Sequence, residues 1–329
     1  MPLVRFSLAC LALVGLLLPL PALAQADFPV TLSHAYGQTV IKQKPLRIVT
    51  WGWGNEDVLV ALGVVPVGMP FQSYGGGDDG VQPWLDGPLA ALGGTPPVLL
   101  DMSGEPPIEQ IAALQPDLVL AVYSGMTEEQ YALLSGIAPT VPYSGAAWST
   151  PWQEVTRTIG QAIGMPEEAE KLVAETTTFI AKTAAARPEL AGTSFAGVND
   201  YDGSLAVYDA DDARVKFLTD LGLVLAPSVT DLSPKDGSFY FPVSYELADS
   251  ITSDIIVTYA EDQSIADAFL GKSFIRNLPQ FKANAIAALV GTEQVAAVSP
   301  PSVLSLRWGL QAYVDTLATA ARHAAAAVK

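Results

Sequence analysis

The chain has one cysteine, Cys10, and two histidines, His34 and His323. Cys10 sits in an N-terminal apolar run, so the rest of the chain has no thiol for a disulfide and must be held together by its core. Two imidazoles at opposite ends cannot assemble a transition-metal site, so no metal centre is expected. There is no G-x-S-x-G elbow and no histidine within the body of the chain to act as a base, which removes the usual nucleophilic hydrolases. Positive charge is also scarce: 17 lysines and arginines stand against 34 acids, a net charge of −17. Phosphate backbones need a basic footprint, so nucleic acid is excluded as a partner. The glycine-rich stretch SYGGGDDG (73–80) carries two acids and no Lys-Ser/Thr. It reads as a flexible surface turn and not as a phosphate cradle. Asp209, Asp211 and Asp212 lack calcium-loop spacing and read as a solvated turn.

Long apolar runs are confined to the start, MPLVRFSLACLALVGLLLPLPALA, which has one cation at Arg5 and small residues up to Ala24. That pattern is a secretory signal peptide (1–24), cleaved near Ala24, and its apolar run is shorter than the ~20 residues that span a bilayer. The expected product is a soluble exported protein, monomeric and needing no cofactor. About 305 residues then remain, more than one core usually serves, which predicts two domains.

From Leu46 short apolar runs alternate with helical patterns: RIVTW, NEDVLVALG, VVPVGM, then PPIEQIAAL, DLVLAVY and a helix opened by Thr127. Strands apolar throughout and separated by helices predict an α/β lobe with a mainly parallel sheet over 25–150. Strand signals vanish over 151–190, where WQEVTRTIGQAIG and MPEEAEKLVAETTTFIAKTAAARPEL read as helices. Some twenty residues of helix span about 30 Å, a stiff connector between two Rossmann-like lobes. Alternation resumes over 191–329 and closes on a helix from about Ser302 to Ala327. One echo links the lobes: Glu109 precedes Asp117, and Glu246 precedes Asp254, each acid pair joining a helix start to an apolar strand.

Aromatics gather at strand ends and in the loops that follow: Trp51, Trp53, Tyr74, Trp84, Tyr123, Trp148, Tyr201, Tyr208, Tyr240, Phe241, Tyr259 and Trp308. In open parallel sheets the ligand lies outside the carboxyl ends of the strands, so these side chains predict an aromatic cleft between the lobes. Arg214 and Arg307 are the cations placed to join them, although an ion pair on the surface accounts for either one. The candidate ligand-binding set is Trp51, Trp53, Tyr74, Trp84, Tyr123, Trp148, Arg214, Tyr240, Tyr259, Arg307 and Trp308. In TWGWGN side-chain alternation puts Trp51 and Trp53 on one face if the strand persists, and sends one of them inside if the turn starts earlier. Trp53 is the favoured contact.

The stretches RIVTWGWGNEDVLVALGVVPVG, EPPIEQIAALQPDLVLA, SGMTEEQYALLSGIAPTV, FLTDLG and SPPSVLSLRWGLQAYVDTL resemble, in order, the periplasmic iron-siderophore binding proteins of ABC importers. That group also contains cobalamin and haem binders. The resemblance implies two α/β lobes joined by one long helix, a shallow cleft for a ferric siderophore, and delivery to an inner-membrane ABC permease. Glu109 and Glu246 match the glutamates that meet permease arginines in this family; taken alone, each is a favourable charge near a helix N-terminus. Haem or cobalamin is the alternative cargo, with Tyr74, Tyr123, Tyr240 or Tyr259 keeping haem open. An exported enzyme is the more distant alternative.

Overall fold

The computed structural model describes residues 28–102 and 104–327; the leader read at 1–24 lies outside them. The described residues begin with an antiparallel hairpin, β1 (Val30–His34) and β2 (Gly37–Ile41). It lies against the first lobe, with Ala35 donating to the Tyr143 carbonyl and the Tyr36 and Tyr143 hydroxyls 2.6 Å apart. Polar alternation hides this hairpin from a search for apolar runs, which starts only at Leu46.

The first lobe runs β3 (Ile48–Thr50), α1 (Asn55–Ala61), β4 (Gly68–Pro70), α2 (Pro83–Leu92), β5 (Val98–Leu100), α3 (Ile108–Ala113), β6 (Leu118–Ala121), α4 (Glu128–Ser135) and β7 (Thr140–Pro142). Its sheet is parallel throughout, in the order β5-β4-β3-β6-β7. The chain winds outward from β3 in one direction and then from β6 in the other, so the carboxyl ends of β3 and β6 meet at the topological switch point. Val49, Leu118, Val119 and Leu120 are fully buried there, as strands covered on both faces require. Thr127 opens α4 through a capping box with Gln130.

Two packed helices, α5 (Trp152–Ala162) and α6 (Pro166–Ala185), connect the lobes. A Cβ on Gly160 would stand 2.2 Å from that of Ala169, so glycine is what lets them approach. Ala169, Val173, Thr176 and Ile180 form the buried stripe of α6. Just beyond its end, Arg187 donates through Nε to Asp315 (2.9 Å) on the C-terminal helix Ser305–Ala327.

The second lobe holds β8 (Ser194–Tyr201), β9 (Ser204–Tyr208), α7 (Ala213–Asp220), β10 (Val224–Leu225), β11 (Tyr240–Val243), β12 (Ile255–Ala260) and β13 (Ile286–Val290). Its sheet, β11-β9-β8-β12-β13 with β10 beside β8, is mixed. The first half of β8 pairs parallel to β12 and β10, whereas its second half turns at Asp202-Gly203 into an antiparallel hairpin with β9. In the first lobe Asp117 accepts from the backbone N–H of Leu46 and Arg47, both at 2.8 Å. In the second, Asp254 accepts from Ser194 N–H at 2.7 Å. Each aspartate thus ties the start of its own strand to the start of the central strand beside it.

A close backbone contact of the first lobe is at Gly52. It sits at φ +98°, and a Cβ there would meet the Tyr123 carbonyl oxygen at 2.3 Å and the Ser124 Cβ at 2.9 Å. Gly52→Ala is expected to cost on the order of 2–4 kcal/mol, read as a lower urea midpoint at unchanged m-value. Gly37→Ala is the control, since its positive φ is alike but nothing lies within 4 Å; it should cost about 1 kcal/mol.

Candidate functional site

The strand β3 stops at Thr50, and the next residues are pinned to the end of β6. Trp51 N–H donates to the Leu120 carbonyl (2.8 Å) and Trp53 N–H to that of Tyr123 (3.1 Å). The fully buried Asn55 side chain donates to the Trp51 carbonyl (2.9 Å) and accepts from Tyr123 N–H (3.2 Å). With Gly52 in a positive-φ turn, alternation breaks and the two tryptophans part company. Trp51 is packed among Val49, Leu100, Val119 and Tyr143 in the core, while Trp53 is half-buried at the carboxyl edge.

Two cavities adjoin there. One, of about 270 Å³, is walled by Trp53, Tyr123 and Trp148 from the first lobe and by Arg214, Phe239 and Pro300 from the second. The other, of about 300 Å³, continues from Arg214 and Phe239 along the β8–β9 hairpin to Tyr208, Tyr201 and Tyr240. Trp148 adopts φ +59°, an uncommon conformation for a large side chain, and its ring meets Tyr123 edge-on at 5.6 Å. Gly125 lies under that ring, where a Cβ would be 2.3 Å from Nε1. Tyr74 packs on Trp53 with ring centroids 6.3 Å apart.

Arg214 is the cation of this cleft. Its Nε and Nη2 donate to the two carboxylate oxygens of Asp212 at 2.8 and 2.5 Å, and its guanidinium lies 3.6 Å from the Tyr208 ring centroid. Asp212 also caps α7 by accepting from Arg214 N–H. Burial works against the charge on Arg214, and Asp212 more than restores it, so the guanidinium stays protonated. Burial raises the pKa of Tyr123, Tyr208 and Tyr259, and pushes that of Tyr74 up to about 12 with help from Glu261. Their hydroxyls therefore remain hydrogen-bond donors at neutral pH.

The structure brings Trp53, Tyr123, Trp148, Arg214 and Tyr240 to the cavity walls, sets Tyr74 against Trp53, and places the other candidates elsewhere. Trp51 is core. Tyr259 lies one layer beneath Tyr208, bonded to the Tyr313 hydroxyl at 2.7 Å. Trp84 is on α2, packed against Trp308 at 5.8 Å, and the Arg307 guanidinium sits over Phe179 of the connector at 4.6 Å. These three line neither cavity, because helix positions, unlike strand ends, are not bound to the carboxyl edge. The solvated turn expected at 209–212 is also corrected: Asp212 holds Arg214, and Asp209 is buried, accepting from Ser233. Nor is 73–80 loose. Gln72 N–H bonds to the Gly80 carbonyl at 2.9 Å, and Gly75 abuts Ala296 of the second lobe. Phe239 and Pro300 went unread, and Asp212 was read only as part of a solvated turn; the Asp-x-Arg spacing at a helix start was the available signal for its other role.

Beneath the turn lie two fully buried acids of α1. Asp57 Oδ2 accepts from the Trp84 indole (2.7 Å) and from Ser302, which precedes the C-terminal helix. Glu56 Oε2 and Asp57 Oδ1 have no hydrogen-bond partner among the described residues. Burial raises both pKa values, and for Glu56 the neighbouring Asp57 adds to the rise. Glu109, on the first turn of α3, and Glu246, on the first turn of the short helix Tyr245–Ser250, are exposed.

A parallel α/β sheet with an aromatic, arginine-bearing cleft at its switch point defines a solute-binding architecture. The chain belongs to the periplasmic binding protein family, which residues 48–289 match. The solved structure of PiaA from Streptococcus pneumoniae in complex with ferrichrome is similar, with a TM-score of 0.81 and 34% identity over 89% of this chain and 99% of that one. The ferric enterobactin-binding periplasmic protein FepB of Escherichia coli O6:H1 is 26% identical over 323 residues, 86% of this chain and 91% of that protein. The ferric-anguibactin-binding protein FatB of Vibrio anguillarum is 31% identical over 147 residues, covering 43% of this chain and 42% of FatB. FepB and FatB are named for binding a ferric chelate, and PiaA was solved with ferrichrome.

The raised pKa values of Glu56 and Asp57 mean that the folded state holds protons which the unfolded chain releases. Their stabilising contribution is therefore present at and below the ordinary carboxylate range and is lost as pH rises toward neutrality and beyond. Glu56→Gln keeps the shape of the protonated acid, so it should flatten this slope and gain more stability at about pH 8 than at about pH 5, measured by urea denaturation.

Proposed function

We propose that this protein captures a ferric siderophore in the periplasm and hands it to an ABC permease. The observation that carries this reading is the cleft at the carboxyl edges of both sheets, with Trp53, Tyr123 and Trp148 on one side and Arg214 on the other. Iron reaches such a site as cargo already wrapped by chelator oxygens, so the cleft contributes stacking area and donors instead of metal ligands. The planar fork of Arg214 and the phenol hydroxyls suit chelator oxygens, which accept hydrogen bonds. The cavity lining has neither histidine nor cysteine, which favours a wrapped metal over a bare one. The site residues of this reading are Trp53, Tyr74, Tyr123, Trp148, Arg214 and Tyr240, and the protein has no reaction to catalyse.

Glu109 and Glu246 are proposed as the docking acids. Each begins a helix that returns to the amino end of a parallel strand, so each stands at the carboxyl edge of its sheet, where the cleft opens. A membrane partner offering an arginine to each lobe can thus engage both lobes at once.

Quenching of intrinsic tryptophan fluorescence by a panel of ferric siderophores, with haemin and cobalamin alongside, tests the cargo. A ferric siderophore should quench, and Trp53→Ala or Trp148→Ala should weaken its binding about tenfold or more. Quenching by haemin or cobalamin alone would transfer the reading to a tetrapyrrole, and no quenching by any of them would end it. For docking, Glu109→Lys with Glu246→Lys should leave binding in solution unchanged and abolish siderophore-dependent iron uptake in cells.

A further inference from the structure

Among the described residues, the charged side chains that line the two cavities or stand behind them are paired, cation to acid. Arg214 is held in a fork by Asp212, and the side chains of the pair are only 19% and 3% exposed. Lys272, behind the second cavity, pairs with Asp200 at 2.5 Å. Lys216, at the lobe boundary, donates to the Ser149 carbonyl at 3.0 Å and lies 4.0 Å from Asp211. Across the cleft, Glu261 bears on Tyr74. The remaining wall is uncharged: Trp53, Tyr123, Trp148, Phe239, Tyr208 and Tyr240. Each cation named here has its own carboxylate, and the chain as a whole carries −17.

Ferric chelates differ sharply in charge. Three hydroxamates lose three protons on wrapping iron(III) and give a neutral complex. Three catecholates lose six and give a complex with three negative charges. Citrate-type chelates are anionic as well. A trianion entering this cleft would leave water for a wall with no net positive charge inside an acidic protein, and like charges brought together cost several kcal/mol. A neutral complex meets no such barrier. It still offers oxygens to the outward edge of Arg214 and to the phenol hydroxyls, and hydrocarbon arms to the indoles.

We infer that the cleft selects electrically neutral ferric chelates of the tris-hydroxamate class and rejects polyanionic catecholate and citrate-type chelates, with Asp212 as the residue that sets this preference by cancelling Arg214. The inference rests on the proposed siderophore-binding function and deepens it.

Fluorescence titration of the full chain with ferrichrome as the neutral chelate and ferric enterobactin as the trianion tests it. Ferrichrome should bind at least about a hundredfold more tightly, with an affinity indifferent to salt. Asp212→Asn keeps an N-capping side chain, so α7 should survive, which circular dichroism checks. Because it frees the charge of Arg214, it should narrow the ratio by about tenfold or more, mainly through tighter binding of the trianion. Equal or tighter binding of ferric enterobactin by the unmodified protein would overturn the inference while leaving siderophore binding intact. A folded Asp212→Asn protein with an unchanged ratio would overturn the role given to Asp212. Failure of both chelates and of a citrate-type one to bind would overturn the proposed function beneath it.

Discussion

The constraint on which the rest of the site depends is that the ends of β3 and β6 must touch. Gly52 stands where a Cβ would be 2.3 Å from the Tyr123 carbonyl, and Asn55 bonds to both strand ends. Because the strands diverge in their connections at this point, a crevice opens beyond it. Because the backbone turns through positive φ within one residue, Trp51 is driven down into the core and Trp53 up into the crevice. The buried Asn55 matters as much as the glycine, since it satisfies backbone groups that the turn removes from the ladder. Gln72 completes the knot by donating to the Gly52 carbonyl at 3.1 Å.

The same knot couples the lobes. One hydrophobic cluster runs from Val58 and Leu59 of α1, through Trp152 and Val155 of α5, to Phe217 of α7 and Tyr313 of the C-terminal helix. Asp57 joins α1 to α2 through Trp84 and to the C-terminal segment through Ser302. A continuous core of this kind resists large hinge rotation, and the tie between Arg187 and Asp315 anchors the connector at its far end. The cleft walls are likewise aromatic side chains whose positions are fixed by neighbours such as Gly125 beneath Trp148.

Much of the fold was legible because parallel strands covered on both faces leave apolar runs, and because the connector carries its own stop and start at Gly164 and Pro166. What was not legible follows from the same physics. The hairpin 30–41 and strand β11 alternate polar and apolar residues or carry a proline, so they resemble loops. Candidate aromatics read from strand ends, Trp53, Tyr123 and Trp148, came together in the cleft. Those on helices, Trp84 and Trp308, packed on each other outside both cavities, because a helix position fixes no edge. Arg307 was chosen for adjacency to Trp308 and followed it. Asp212 was set aside as surface acid because sequence shows the sign of a charge but not its burial; a cap and an ion pair in one side chain become visible only when Arg214 folds back over its own helix start.

The internal echo between Glu109–Asp117 and Glu246–Asp254 has a structural cause as well as a proposed use. Each aspartate accepts backbone N–H groups at the amino end of the central strand next to its own, so it fixes the strand pair flanking the switch point of its lobe. The helix before each strand must then span the sheet from carboxyl to amino edge, and its first-turn glutamate is carried to the cleft side whatever the intervening residues are. The two helices differ in kind, one α and one 3₁₀, yet the acids occupy corresponding edges. Placement by topology, and not by local conformation, is what allows two lobes of dissimilar sheet pattern to present one matched pair of charges.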